Sequence, residues 1–334
     1  MMSLKEDINF SLWCDFIERE FLEKQFQSLI GDKKIQGATI NQAIFESSIS
    51  NSVAYRQQLD MLQANGPKKI YEELALTDIK RASELLYPLH DENVEDGFIS
   101  IEVDPLLCDD EAGTIEEAIR LYQTIGTDNV MIKVPATQAG YGAMKALTSQ
   151  GIHVNATLVF SPEQAILCTR ALNEGIKISD KKPQAVVSIF VSRFDRLCDE
   201  ELESKGLPQS RLGIINAVKC YHEINKFNNK NIRTLFASTG VKSNDLDSSY
   251  YVDELLYPHS VNTAPLLTIE DWVSAGKKVP ATVISEDECD EFFAQLTVKN
   301  INIEKVYETL LTNGLDSFKN SFKDLLGKLI SKTH

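Results

Sequence analysis

No stretch of this chain reaches the about 18 consecutive apolar residues that a membrane-crossing helix needs. Its first residues, MMSLKEDINFSLW, meet Lys5, Glu6 and Asp7 before an apolar run forms. A secretory leader is laid out the other way round, so a cytoplasmic location is expected and a membrane is not. Basic residues are scarce: 34 Lys and Arg face 49 Asp and Glu, for a net charge of −15. Nucleic acid and anionic lipid both require a basic face, so neither is expected as a partner. An anionic small molecule would have to be met by a few cations gathered at one place. Cysteine is sparse as well. Cys14, Cys108, Cys168, Cys198, Cys220 and Cys289 contain no CxxC pair and no grouping with histidine at metal-ligand spacing. They read as reduced packing thiols, and no metal is expected.

The 334 residues are 43% hydrophobic and 25% charged, the composition of a soluble globular chain able to bury one large core. Short runs rich in β-branched residues recur, most of them followed by a segment of helical period: FSLWCDF, GATIN, FISIEVD, VMIKVPA, VNATLVF, VVSIFVS, RTLFAST and SVNTAPL. Eight such alternations without a Pro/Gly/Ser linker predict a single (β/α)8 TIM barrel over residues 1–334. Extra helices are expected after the second strand, within about Gln57 to Asp96, and at the C-terminus from Ile303 to Ile330, with Gly314 as a break between two helices. Thr114 with Glu117 predicts one capping box, and Ser161, Pro162 and Gln164 another. Ile214, Ile215, Val218 and Tyr221 mark a helix after the sixth strand.

Side chains on a barrel strand alternate between the helix shell and the interior. In VMIKVPA the apolar Val130, Ile132 and Val134 suit the shell, which turns Met131 and Lys133 inward. The same parity sends Ser100 and Glu102, Asn155 and Thr157, and Ser188 and Phe190 inward, with Val154, Ala156 and Leu158 outside. Weaker versions hold for Asp15, Thr39 and Asn41. Lysine and carboxylates are rarely buried unless paired. A buried ion-pair network would explain any one strand about as well as function does. It explains all of them together poorly, because such networks are often no more stable than apolar packing. A desolvated amine flanked by acids is suited to attack a ketone and form a Schiff base, with the carboxylates relaying protons. Asn, Ser and Thr side chains suit polyol hydroxyls.

At these residues the sequence resembles the transaldolase family, from about Leu12 to the C-terminus. The blocks are LWCDF, GATIN, SIEVDP, NVMIKVPAT, GIHVNATLVFS, VVSIFVSRFD, ASTG and YYVDELLYPHSVNTAP. The resemblance implies transfer of a dihydroxyacetone unit between sugar phosphates, without a cofactor, by a monomer or homodimer. It implies that Lys133 forms the Schiff base, that Glu102 moves protons through a water held by Thr157, and that Asp15 deprotonates the C4 hydroxyl of the donor. Asn41, Asn155 and Ser188 then hold the dihydroxyacetone hydroxyls, Phe190 forms a wall and Arg193 binds phosphate. In two places the sequence departs from the family pattern. Gln42 follows Asn41 where many relatives have proline. On strand seven ASTGVK replaces a second phosphate-binding arginine, leaving Ser238, Thr239, the Gly240 backbone and Lys242 to supply hydrogen bonds and charge.

Other readings carry less. A related aldolase that cleaves fructose 6-phosphate outright tends to have glutamine for Glu102 and tyrosine for Phe190. A pyridoxal-phosphate barrel would need a partner for the pyridine nitrogen, and none is identifiable. A non-catalytic scaffold would be expected to have lost Lys133 or Glu102. Gly140-Tyr141-Gly142 is expected to be a tight turn. The pairs Lys68-Lys69 and Lys181-Lys182 should be solvated. His90, His153, His222, His259 and His334 should be unclustered.

Overall fold

The computed structural model describes residues 4–40, 42–242, 246–276 and 278–332. Eight parallel strands close into a barrel in sequence order. They are β1 (Ser11–Cys14), β2 (Gly37–Thr39), β3 (Phe98–Glu102), β4 (Val130–Pro135), β5 (His153–Val159), β6 (Ala185–Phe190), β7 (Ile232–Ala237) and β8 (Ser260–Ala264). β8 returns to pair with β1. Val130, Ile132 and Val134 are fully buried, as are Met144 and Leu147 of the helix Gln138–Ser149 and Leu172 of the helix Pro162–Ile178. The apolar core thus lies between strands and helices, and the polar parity is left for the interior. All six cysteines are free and buried, and among the described residues no helix is long and apolar enough to cross a membrane.

Helix starts follow local capping chemistry, with one correction. Ser161 Oγ accepts from the Gln164 backbone N–H at 3.0 Å, and Gln164 Oε1 accepts from the Ser161 N–H at 3.2 Å, which completes the expected box behind Pro162. The other helix begins earlier than expected, at Glu111, because Asp110 caps it by accepting from the Gly113 N–H. Thr114 lies inside that helix and donates to the Leu107 carbonyl. Glu117 accepts instead from the Asp104 N–H at 2.6 Å and from Lys68 Nζ at 2.9 Å. Lys68 also meets Asp104 at 2.6 Å, so it is not a free solvated lysine. Lys182 likewise donates to the carbonyls of Ile176 and Lys177 at the end of the preceding helix.

The extra helices are present after β2 (Gln42–Asn51, Arg56–Leu62 and Pro67–Glu92) and at the C-terminus (Glu286–Val298 and Ile303–Lys332). Gly314 does not break the last of these. A Cβ there would stand 3.1 Å from Leu158 Cδ2 and 3.4 Å from Arg193 Nη1, so glycine allows the helix to lie close over the strand ends. Gly140 has a similar role. It sits inside the helix Gln138–Ser149, where a Cβ would collide with the Pro135 carbonyl oxygen, so the expected turn is a helix packed tightly onto β4. Parity fails at Leu158. Register shifts between Ala156 and Val159, and Leu158 takes φ +57°. This β-bulge turns its side chain from the shell to the barrel mouth.

His90 and His153 are neighbours, with ring centroids 6.3 Å apart and the Phe98 ring about 5 Å from each, so these two histidines cluster where none was expected to. Burial pushes the His153 imidazole down to about 4, and nearby His90 adds to the effect. His334 lies outside the described residues. At the N-terminal end of the strands, Arg233 is buried and donates to Ser11 Oγ and the Ser260 carbonyl at 2.7 Å each, and to the Asn9 carbonyl at 3.1 Å. Asp96 faces Arg233 at 3.4 Å and Lys5 at 2.8 Å. This plug closes the end of the barrel away from the polar mouth.

Candidate active site

Strand register assembles the site. Glu102 of β3 pairs with Lys133 of β4, and Lys133 pairs with Asn155 of β5, so three side chains of one parity stand in one row. Lys133 Nζ lies 2.7 Å from Glu102 Oε1, and the two residues are 6% and 8% exposed. Asn155 is held from both sides: its Nδ2 donates to Ser100 Oγ at 3.1 Å, and its Oδ1 accepts from Ser188 Oγ at 2.6 Å. The Thr157 hydroxyl is buried and has no hydrogen-bond partner among the described residues. A buried hydroxyl without a partner costs free energy, and here it faces the cavity that holds Lys133.

That cavity measures about 120 Å³ and lies at the C-terminal end of the strands. Asp15, Lys133, Asn155, Thr157, Ser188 and Phe190 face it, together with Arg193 and Ser238. Glu102 lies against the same lysine in an adjoining recess lined also by Leu158, Leu315 and Phe318. Asp15 accepts from Thr39 Oγ1 at 2.7 Å. Burial raises its pKa above the ordinary carboxylate value, opposed by Lys133 and by the Thr39 hydrogen bond. Arg193 is the second residue of the helix Ser192–Ser204 and its guanidinium lies 5.1 Å over the Phe190 ring. A planar cation at a helix N-terminus suits a phosphate. Ser238 directly follows β7 in the left-handed region, φ +55°, with its hydroxyl 3.2 Å from Ser192 Oγ.

Not every expected residue joins this group. Lys242 is exposed and does not line the cavity. Thr239 donates to Asn262 Oδ1 and to the Thr263 carbonyl rather than facing the cavity. Asn41 lies outside the described residues, and Gln42 opens the helix that follows. Three lining residues went unread: Ala237 at the end of β7, Thr263 and Phe318. Thr263 of β8 bonds Thr39 at 2.8 Å, but SVNTA carries polar residues in both parities, so alternation gives no direction there. Phe318 comes from the C-terminal helix, and its ring centre lies 5.9 Å from Lys133 Nζ; no local signal connects it with β4. A larger groove of about 730 Å³ lies at the opposite end of the barrel, and its Lys5, Lys33 and Lys278 are already paired with Asp96, Glu92 and Asp253. Among the described residues no group of acids, cysteines and histidines is placed to hold a metal.

A closed parallel barrel with a buried lysine-carboxylate pair at its C-terminal mouth defines a barrel enzyme suited to covalent chemistry on a carbonyl. Residues 12–329 match the Transaldolase/Fructose-6-phosphate aldolase family, and the chain belongs to that family. It is 45% identical over 317 residues to a Helicobacter pylori transaldolase, covering 95% of this chain and 98% of that one. It is 46% identical over 332 residues to a Campylobacter jejuni transaldolase, covering 96% and 99%.

Proposed function

We propose that this chain transfers a dihydroxyacetone unit from a ketose phosphate, sedoheptulose 7-phosphate or fructose 6-phosphate, to an aldose phosphate, glyceraldehyde 3-phosphate or erythrose 4-phosphate, through a Schiff base on Lys133. The contact that carries the proposal is Lys133 Nζ at 2.7 Å from Glu102 Oε1, beside the Thr157 hydroxyl, which has no partner among the described residues. The lysine amine attacks the ketone. Glu102 passes protons to and from the carbinolamine through a water held on Thr157, so that water leaves and the C=N bond forms. Asp15 takes the proton of the C4 hydroxyl as the C3–C4 bond breaks, and the electron pair stays on the lysine-bound fragment as an enamine. Asn155, Ser188 and Asn41 hold its hydroxyls, Phe190 walls it, and Arg193 with Ser238 receives the phosphate. Lys242 adds charge from the rim.

Glutamate at 102 and phenylalanine at 190 favour transfer over the simple cleavage of the aldolase relatives. The free buried cysteines support a reducing, cytoplasmic setting, and the proposed enzyme acts on sugar phosphates without a cofactor, as one domain in a monomer or homodimer. Borohydride reduction with fructose 6-phosphate, followed by peptide mass spectrometry, should find a three-carbon adduct on Lys133 that Lys133→Ala abolishes. An adduct elsewhere, or none, sinks the mechanism. Erythrose 4-phosphate in a coupled assay separates transfer from cleavage.

A further inference from the structure

We propose that Phe318 sets how the lysine-bound three-carbon intermediate divides between transfer to an aldose and loss to water. The C-terminal helix Ile303–Lys332 crosses the barrel mouth and places Leu315 and Phe318 against Leu158, Glu102, Lys133 and Thr157. Phe318 is the one of these two that also lines the 120 Å³ cavity, and its ring centre stands 5.9 Å from Lys133 Nζ. The helix is held in place on either side of that ring. Phe322 packs edge-on against Tyr71 at 5.4 Å, and the Tyr307 hydroxyl donates to Asn216 Oδ1 at 2.9 Å. Gly314 permits the close approach, since a side chain there would press on Leu158, Phe160 and Arg193. The bulge at Leu158 supplies the facing apolar surface. An apolar lid therefore covers the side of the lysine that the polar residues leave open.

The inference rests on the Schiff-base reading above, and its chemistry balances. In transfer, the enamine carbon bonds to the aldehyde carbon of the acceptor, whose oxygen takes a proton; water then adds to the resulting iminium carbon and the C–N bond breaks, which frees the new ketose and the lysine amine. In loss, the enamine carbon takes a proton to give an iminium and water adds to the iminium carbon. The C–N bond then breaks, leaving free dihydroxyacetone and the neutral lysine amine. Both routes begin from one species and end in the same hydrolysis; they part at the enamine carbon, which meets an aldehyde in the first and a proton delivered through water in the second. Excluding water from a reactive intermediate is what a closed apolar cover does.

The test uses the full chain with fructose 6-phosphate. It compares dihydroxyacetone released without acceptor to transfer with erythrose 4-phosphate. Phe318→Ala is expected to raise the release-to-transfer ratio roughly fivefold or more, and Phe318→Leu, which keeps an apolar cover, should stay near the wild-type ratio. Gly314→Ala, which lifts the helix by a few tenths of an ångström, should move the ratio in the same direction as Phe318→Ala by less. An unchanged ratio in a folded Phe318→Ala protein that still traps the Lys133 adduct overturns the inference and leaves the Schiff base intact. If Phe318→Ala does not fold, an unchanged ratio in Gly314→Ala overturns it. Absence of the adduct in the wild type is the separate failure of the Schiff-base reading.

Discussion

Thr157 and Asn155 are two residues apart on one strand, yet substitutions there should have opposite consequences. The Thr157 hydroxyl makes no hydrogen bond within the described structure, so Thr157→Val removes no internal partner and should leave thermal stability nearly unchanged. Its hydroxyl is placed only for a water or substrate, so kcat should fall about 10- to 100-fold with KM little altered. Asn155→Ala would strand Ser100 and Ser188 in the interior and should cost about 1–3 kcal/mol. A melting temperature that falls as far in Thr157→Val as in Asn155→Ala would refute the contrast. Asp15 gives a second prediction. Burial raises its pKa and the Thr39 hydrogen bond opposes that rise by favouring the carboxylate. The base form required for catalysis is lost as pH falls, so the acid limb of kcat should lie above the ordinary carboxylate range. Thr39→Val removes the opposing hydrogen bond and should move that limb to higher pH. A pH profile of kcat that is unmoved in Thr39→Val counts against Asp15 as the base.

Among the elements, the junction of the helices Ser192–Ser204 and Leu212–Asn225 carries a stored titration. Asp195 accepts from the Gly213 N–H at 2.8 Å and from the Tyr251 hydroxyl at 2.9 Å. Burial nevertheless dominates and pushes its carboxyl up to about 7. In the unfolded chain the group ionises near pH 4, whereas in the fold it stays protonated to near neutrality. Stability should therefore fall as pH rises from about 4 to about 7 and level off above, by an amount of order a few kcal/mol. Asp195→Asn keeps the Gly213 hydrogen bond and lets its Nδ2 donate to the Tyr251 oxygen, as a protonated carboxyl would, without the charge, so it should match wild type at pH 4 and exceed it in urea melts at pH 8. Equal stability of the two at pH 8 would exclude this account. The same elements show how far the sequence could be read. Strand parity found Lys133, Glu102, Asn155, Thr157 and Ser188, because the helix shell requires apolar residues at every second position. It failed at Leu158, where a bulge resets the alternation. It was silent on SVNTA, and blind to Phe318, which reaches the site by a packing contact some 185 positions from Lys133. Gly314 was misjudged because glycine permits close approach as readily as it ends a helix.

Across the whole molecule the two ends of the barrel divide the work. The C-terminal mouth holds buried polar groups directed at a cavity, while the N-terminal end buries an arginine whose partners are all protein: Ser11, Asp96 and the carbonyls of Asn9, Glu95 and Ser260. Both ends bury charge, so burial alone does not distinguish a site from a plug. Satisfaction does so in degree: Arg233 Nη1 and Nη2 are met by five acceptors, though its Nε has none among the described residues, whereas the Thr157 hydroxyl, its side chain's one polar group, is met by none there. Removing one partner from a buried ion pair costs about 3–5 kcal/mol, while replacing both with apolar groups is often neutral. Arg233→Met should therefore lower the melting temperature by roughly 5–10 °C, because Asp96 keeps Lys5, Ser11 and Asn93 but loses the guanidinium. Adding Asp96→Leu should recover part of that loss. kcat and KM measured at 25 °C should be unchanged in both proteins, since the plug and the lysine sit at opposite ends of the strands. A single variant that melts normally but loses activity would mean that the N-terminal end takes part in catalysis, and the division of the barrel into a working end and a holding end would fall.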